Sequence, residues 1–408
     1  MRVGILTYHC VPNFGAQLQA MSTVGYLKRM GHTPILLHWY PKDLEALYAR
    51  RVPKIQRKCQ MQFAESHFPL SALCRNEKQL IKEIERQQLD MIITGSDALF
   101  KYKPICDRER AFSKRKLKFV NNYVSSEDLD GNPFFCDYYG ELSRQIPVVA
   151  FSVSSQNCPY FRMTEDEREK MGRYLRNFKK ITVRDRWTKS MVEEISGLEN
   201  IEITPDPVFA FNQNCYIHIP SKEEILTRFS LPEHYALFSF AKGVLPIEYK
   251  EEIGNAIKQH GITPVALAEP EGLGDVFFSD QVDLPLSPIE WYSLIKNADV
   301  YIGTRLHPII VSLHNRTSFF SFDGNGTNDV NGVFNQHSSK IFDVLANAGL
   351  ESNTYPLRSD LSVPTAEKVV NSVLSFNNTQ CAYFSESMLK RYLDTMSELF
   401  VRFHRATC

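Results

Sequence analysis

With 408 residues the chain is too long for one ordinary hydrophobic core, and this length points to two or three domains, two being the natural expectation. Hydrophobic content of 43% and charged content of 23% are those of a globular protein and exclude extensive disorder. Lys+Arg 47 against Asp+Glu 47 leaves no formal net charge, which argues against nucleic acid as the main partner.

Residues 2–8 read as a strand, 9–14 as a loop, 15–30 as a helix closed by Gly31, and 33–40 as the next strand. The start runs straight into this strand pattern with no charged-then-apolar leader, and no stretch approaches the roughly 20 apolar residues of a membrane span. The nine cysteines are scattered, without C-x-x-C or a metal-like pairing with histidine. The expectation is a cytoplasmic protein with reduced thiols and no metal. Asn13 and Gly15 stand at the entrance of the first helix, where glycine permits close approach of a ligand; no G-x-G-x-x-G fingerprint is present.

Residues 41–88 are polar and basic, with Arg50, Arg51, Lys54, Arg57 and Lys58 close together, and suit one or two surface helices. Such helices can also rest on an anionic membrane. Residues 90–94 form a buried strand that ends in Gly95-Ser96-Asp97, and Asp97 sits where a catalytic carboxylate can be placed. Residues 101–145 are irregular and basic, including Arg108, Arg110, Lys114, Arg115, Lys116 and Lys118, and then aromatic around Phe134, Phe135, Tyr138 and Tyr139. A loop this long suggests acceptor binding. Strand 147–154, a helix capped by Thr164 and Glu167, strand 180–183, a helix from 187 to 195 and strand 201–204 complete this half. Arg184-Asp185-Arg186 stands at the end of strand 180–183, and Asp206 lies in a rigid turn between two prolines.

The second half repeats the alternation: strand 235–241 ending at Lys242-Gly243, helix 247–260, strand 263–268, and a helix opened by Ser287, Pro288 and Glu290. Residues 298–302 form a buried strand, Gly303-Thr304-Arg305-Leu306-His307 a turn, and Pro308 opens the following helix. Strand 317–322, loop 323–331 and helices 338–348, 366–376 and 385–404 follow. Arg305 and His307 therefore fall between the carboxyl end of a strand and the amino end of a helix, where open α/β sheets bind ligands and a helix dipole favours anions.

Alternating strands and helices in both halves imply an α/β fold of two doubly wound, Rossmann-like domains facing a cleft. The first is expected over residues 1–213, with insertions at 41–88 and 101–145 and a returning C-terminal helix at 380–408. The second is expected over 214–379 and carries the anion pocket. Arg305 and His307 would form one wall, with Arg184, Asp97 and the loop 13–17 on the other. Two arginines suit a substrate with two negative groups, and histidine can move a proton near neutral pH.

Asn13-Phe14-Gly15-Ala16-Gln17-Leu18-Gln19-Ala20, Gly95-Ser96-Asp97, Val183-Arg184-Asp185, Asp206-Pro207-Val208-Phe209 and Thr304-Arg305-Leu306-His307 occur in one order. That ordered set resembles the polysaccharide pyruvyl transferases. The resemblance implies a fold similar to B-type glycosyltransferases, phosphoenolpyruvate as donor substrate without a further cofactor, and a pyruvate ketal formed on two hydroxyls of a sugar in a bacterial surface or capsular polysaccharide precursor. Arg305, Leu306 and His307 match the donor-binding motif, beside Thr304, and Arg184 matches a second arginine on the donor. Pro308 departs from the small residue common there. In the implied chemistry His307 is the acid, Asp97 or else Asp206 the base, and Lys242 a phosphate contact. A lipid-linked acceptor would turn the basic segments toward the inner face of the membrane. The competing readings are a nucleotide-sugar glycosyltransferase of the same fold and a non-catalytic protein that binds anionic glycans.

Overall fold

The computed structural model describes the chain except residues 109, 114–117, 122–124, 130–131, 276–277, 359–360 and 405–408. Six strands form the first sheet: β1 (Arg2–Leu6), β2 (Thr33–Leu36), β3 (Met91–Thr94), β4 (Val148–Val153), β5 (Lys180–Val183) and β6 (Glu202–Ile203). Their order is β2-β1-β3-β4-β5-β6, all parallel. Six more form the second: β7 (Tyr235–Ser239), β8 (Thr263–Leu267), β9 (Asp280–Val282), β10 (Val300–Gly303), β11 (Ser318–Asp323) and β12 (Thr354–Pro356). They are ordered β9-β8-β7-β10-β11-β12, again parallel. Each sheet reverses its winding once, between β1 and β3 in the first and between β7 and β10 in the second. A crevice opens beyond the strand ends at such a reversal.

The inner strands β3, β4, β7 and β10 are buried along their whole length, as parallel strands covered on both faces must be. The edge strands β9 and β12 were not apparent in the sequence. Each is three residues long and partly polar, and Asp280, Gln281 and Thr354 are not buried, so neither carries an apolar run. Residues 41–88 fold into three helices, Lys42–Arg51, Lys54–His67 and Glu77–Gln87, where one or two were expected.

One apolar cluster runs through both halves and joins them. Phe14, at the start of helix Phe14–Arg29, stacks on Trp291 with ring centroids 5.1 Å apart. Gln56, fully buried, exchanges two 2.8 Å hydrogen bonds with the backbone of Leu286. The long final helix, Asn378–His404, lays Tyr392 between Tyr26 and Phe151 of the first half, and Cys381 and Ser385 against backbone carbonyls of Leu313 and His314. Among the described residues no helix is long and apolar enough to cross a membrane.

The aromatic segment of residues 134–138 has a different role from the one expected. Phe134, Phe135 and Tyr138 are buried, with Phe134 edge-on to Tyr8 and Phe135 stacked on Phe100. They fill the core of the first half and offer no face to an acceptor. Arg108 is bonded to Tyr102 and paired with Glu167, while Lys114, Arg115 and Lys116 lie outside the described residues.

Candidate active site

The loops after β1, β3, β7 and β10, the strands that flank the two winding reversals, meet around a cavity of about 290 Å³. The first half supplies the segment Tyr8 to Gly15, Asp97 and Lys101; the second supplies Ser239, Glu269 to Glu271, Trp291, Arg305 to Pro308, and Lys340.

The helix after β10 begins at Leu306, two residues earlier than Pro308 suggests. Its first four N–H groups lack intrahelical partners in any case, so proline is harmless at the third position as well as the first. His307 thus lies in the first helical turn and not in the turn before it. Arg305 is the N-cap residue and supplies no side-chain cap, so the helix turns a positive end toward the cavity. Its guanidinium, half-exposed, is already held by Glu269: Nε and Nη2 donate to Oε2 at 3.1 and 2.6 Å, and Glu271 lies 3.4 Å from Nη2.

His307 is 8% exposed, and its Nε2 has no hydrogen-bond partner among the described residues; Oδ2 of Asp206 is 3.9 Å away. Burial pushes its pKa below the ordinary 6.5, Asp97 and Asp206 oppose that shift, and Arg184 and Lys340 reinforce it. The resting ring is neutral at pH 7. Gly15 makes room for it, because a Cβ on residue 15 would fall on the His307 ring. Gly15→Ala is therefore expected to lower stability, because forcing a methyl group against the buried ring costs about 1–3 kcal/mol, more than the roughly 1 kcal/mol that alanine gains as the better helix former. The displaced imidazole should cost about 10-fold to 100-fold in kcat. Steady-state turnover beside a denaturant titration separates the two effects.

Behind the cavity wall lies a polar network. Asp97 follows β3 with φ at 113°, a backbone conformation ordinarily left to glycine, and its Oδ1 accepts from the N–H of Ala98 at 2.8 Å. Arg184, 4% exposed, donates from Nη1 to Oδ2 of Asp206 at 2.6 Å, with Nη2 3.8 Å from Asp97. Its Nε and Nη2 have no hydrogen-bond partner among the described residues. Gln19 also donates to Oδ2 of Asp206 at 2.6 Å, and Oδ1 of Asp206 caps the short helix Pro207–Ala210 through the N–H of Val208. Burial alone would raise the Asp97 pKa, but His307, Arg184 and Lys340 outweigh it and hold the carboxyl below its usual range. Arg184 and Asp206 also line a second cavity, of about 560 Å³, against the final helix.

Lys340 is the residue that sequence reasoning missed. It is the first residue of helix Lys340–Ala348, capped by Ser339, whose hydroxyl is in turn bonded to Asp323 at the end of β11. The residue is partly exposed and lines the cavity, and its ammonium has no hydrogen bond or ion pair among the described residues. Burial lowers its pKa to about 8, with Arg184 adding to the shift and Asp97 and Asp185 opposing it. A lysine at the positive end of a helix is placed against the dipole. That misplacement, readable once the helix start is known, was the available signal.

The remaining expectations sort by position. Leu306 and Asn13 line the cavity, Asn13 also capping its helix through the N–H of Ala16 at 3.3 Å. Thr304 is half-buried and not on the wall. Lys242 is exposed and away from the cavity, which corrects its expected place as a phosphate contact. The strand ends at Ser239, three residues short of it, and the chain has turned outward by then. Arg184 and Arg305 do not face the cavity as a pair: one is locked behind Asp97, and the other is matched by Glu269.

A family model described as polysaccharide pyruvyl transferase matches residues 13–326. No curated protein sequence matches the chain significantly. Among solved structures, the glycotransferase of kitacinnamycin is similar with a TM-score of 0.53 and 11% identity, covering 98% of each chain. UGT89C1 of Arabidopsis thaliana gives 0.53 and 11%, over 98% of this chain and 99% of its own. A UGT transferase from Siraitia grosvenorii, in complex with UDP, gives 0.50 and 11% over 99% of both. At such identities the likeness is one of fold, that of the two-domain B-type glycosyltransferases.

Proposed function

Since the chain belongs to the polysaccharide pyruvyl transferase family and is a transferase, we propose that it moves pyruvate from phosphoenolpyruvate onto two hydroxyls of a sugar in a bacterial surface or capsular polysaccharide precursor. The observation that carries this reading is a neutral, unpartnered His307 in one small cavity with the free ammonium of Lys340, at the positive ends of two helices. Lys340, Arg305 and the uncapped N–H groups at the start of the Leu306 helix take the phosphate and carboxylate. Arg184 keeps Nε and Nη2 available to a donor oxygen that reaches past Asp97. A cavity of about 290 Å³ lies at the lower end of the range for small-molecule sites, about 300–1,000 Å³, and suits a three-carbon donor better than a nucleotide sugar.

The protons balance without an outside acid. The first sugar hydroxyl attacks the carbon that bears the phosphate, and its proton ends on the methylene carbon, which becomes a methyl group. The C–O bond to phosphate then breaks, the second hydroxyl closes the ketal, and its proton leaves with the phosphate. A neutral His307 can take a hydroxyl proton and pass it on, so any proton it donates is one it has first received. Asp97, held ionised, offsets positive charge as it develops on that ring and on the donor carbon. Asp206 fixes Arg184 and is a positioning residue in this scheme.

The acceptor enters on the side lined by Leu47, Tyr48 and Arg51, where Arg51 is exposed. A lipid-linked acceptor would set the basic helices of residues 42–67 against the cytoplasmic face of the membrane. Incubation of the purified protein with phosphoenolpyruvate and candidate glycans tests the reading. Acceptor-dependent phosphate release, with a glycan mass gain of one pyruvate less water, is the expected result. Release of a nucleoside diphosphate from a sugar nucleotide would instead establish the glycosyltransferase reading. The acidic pair Glu269 and Glu271, which a nucleotide-sugar enzyme would turn toward the donor ribose, is taken up here by Arg305.

A further inference from the structure

We propose that His9, Cys10 and His38 form a binding site for a zinc-class divalent cation, built where the loop after β1 meets the end of β2. The two ring nitrogens and the sulfur lie within 4.8 Å of one another. All three side chains are buried, His9 completely, Cys10 at 5% exposed and His38 at 9%. His9 Nδ1 stands 2.9 Å from the carbonyl oxygen of Thr7, which can only accept, so Nδ1 carries the proton and Nε2 keeps a lone pair. Nε2 of His9 and Nε2 of His38 both lack a hydrogen-bond partner among the described residues. Two buried imidazole nitrogens left without partners in one place are costly and call for an occupant.

The donor set selects the ion. Two imidazoles and one thiolate match a borderline-soft metal, and hard cations such as magnesium or calcium want oxygen. A backbone carbonyl holding the far nitrogen of a ligating histidine is the usual support for such a site. Zinc bonds of about 2.0 Å to nitrogen and about 2.3 Å to sulfur put ligand atoms less than about 4 Å apart. Small side-chain rotations therefore close the site. The Cys10 Sγ–H, which lies 3.4 Å from the carbonyl oxygen of Trp39, releases its proton to solvent as the sulfur–metal bond forms. Water fills the fourth position. A bound ion would fasten the segment of Tyr8, Val11 and Asn13, one wall of the cavity, to the first sheet. Sequence spacing hides the trio because His38 comes 28 residues after Cys10.

The test uses the full chain, reduced, stripped with a chelator and titrated anaerobically with Co²⁺ and with Zn²⁺. Wild type is expected to take up one equivalent of Co²⁺ with a thiolate charge-transfer band, to exchange it for Zn²⁺, and to gain in thermal midpoint with Zn²⁺. His38→Ala and Cys10→Ser, checked for fold by circular dichroism, should lose the band and the Zn²⁺-dependent shift. Absence of the band in wild type overturns the proposal whatever the variants do. So does a band that survives in a folded Cys10→Ser protein, which would place the metal on another cysteine.

Discussion

His307→Asn is expected to lower kcat for acceptor-dependent phosphate release by about 10²- to 10⁴-fold, the range for loss of a positioned general acid–base group. Asparagine leaves the surrounding charges in place, so the KM for phosphoenolpyruvate should change little. The pH dependence carries the sign of the assignment. Burial keeps the His307 pKa below 6.5, so the ring is a free base at neutral pH and is protonated only as the pH falls further. Wild-type kcat/KM should fall along an acid limb lying below pH 6.5, and that limb should be missing from whatever activity His307→Asn retains. A folded variant within about tenfold of wild type would remove His307 from the chemistry. Retained donor binding with no turnover in wild type itself would instead favour the non-catalytic glycan-binding protein.

Much of this site was legible because its residues sit at ends of strands that announce themselves. The run before Gly303 is apolar and β-branched, and so are those before Gly95 and Arg184; locating each strand locates the residues at its carboxyl end. The two winding reversals then bring Asp97 and His307 to one cavity without further information from the side chains. The parts that were not legible depend on distance through space. Arg305 was expected to be free for a ligand, yet its partner Glu269 lies 36 residues earlier, across a sheet. Lys242 comes after a strand as Arg305 does, and Ser239 and Gly303 end their strands side by side, but Lys242 falls in an exposed turn beyond the strand end and does not line the cavity. The aromatics of residues 134–138 look the same on paper whether they line a groove or fill a core. Lys340 belongs to no motif, and only the fold of the loop after β11 delivers it.

That lysine supports the second large effect. Lys340→Met is expected to lower kcat/KM for the donor by about 10²- to 10³-fold, as for loss of a charge-assisted contact in a desolvated site, and mostly through KM. Because kcat/KM reports groups of the free enzyme, the wild-type profile should decline as the pH rises through about 8, where the Lys340 ammonium loses its proton. Lys340→Met should show no decline there, and Lys340→Arg should move it upward, arginine staying charged far above that pH. Stability should respond in the opposite sense to activity. A lysine whose folded pKa is about 8 against an ordinary 10.5 binds fewer protons in the native state than in the unfolded chain between those values. Its charge therefore costs stability below pH 8, and the cost lifts as the pH rises toward 10.5. Methionine removes that cost together with the unfavourable helix-end charge, so the variant should be no less resistant to urea at pH 7 than wild type. A lysine that merely held the loop in place would behave otherwise: its loss would lower the urea midpoint and leave the alkaline limb of the surviving activity at pH 8, and that pair of results would refute a donor-binding role.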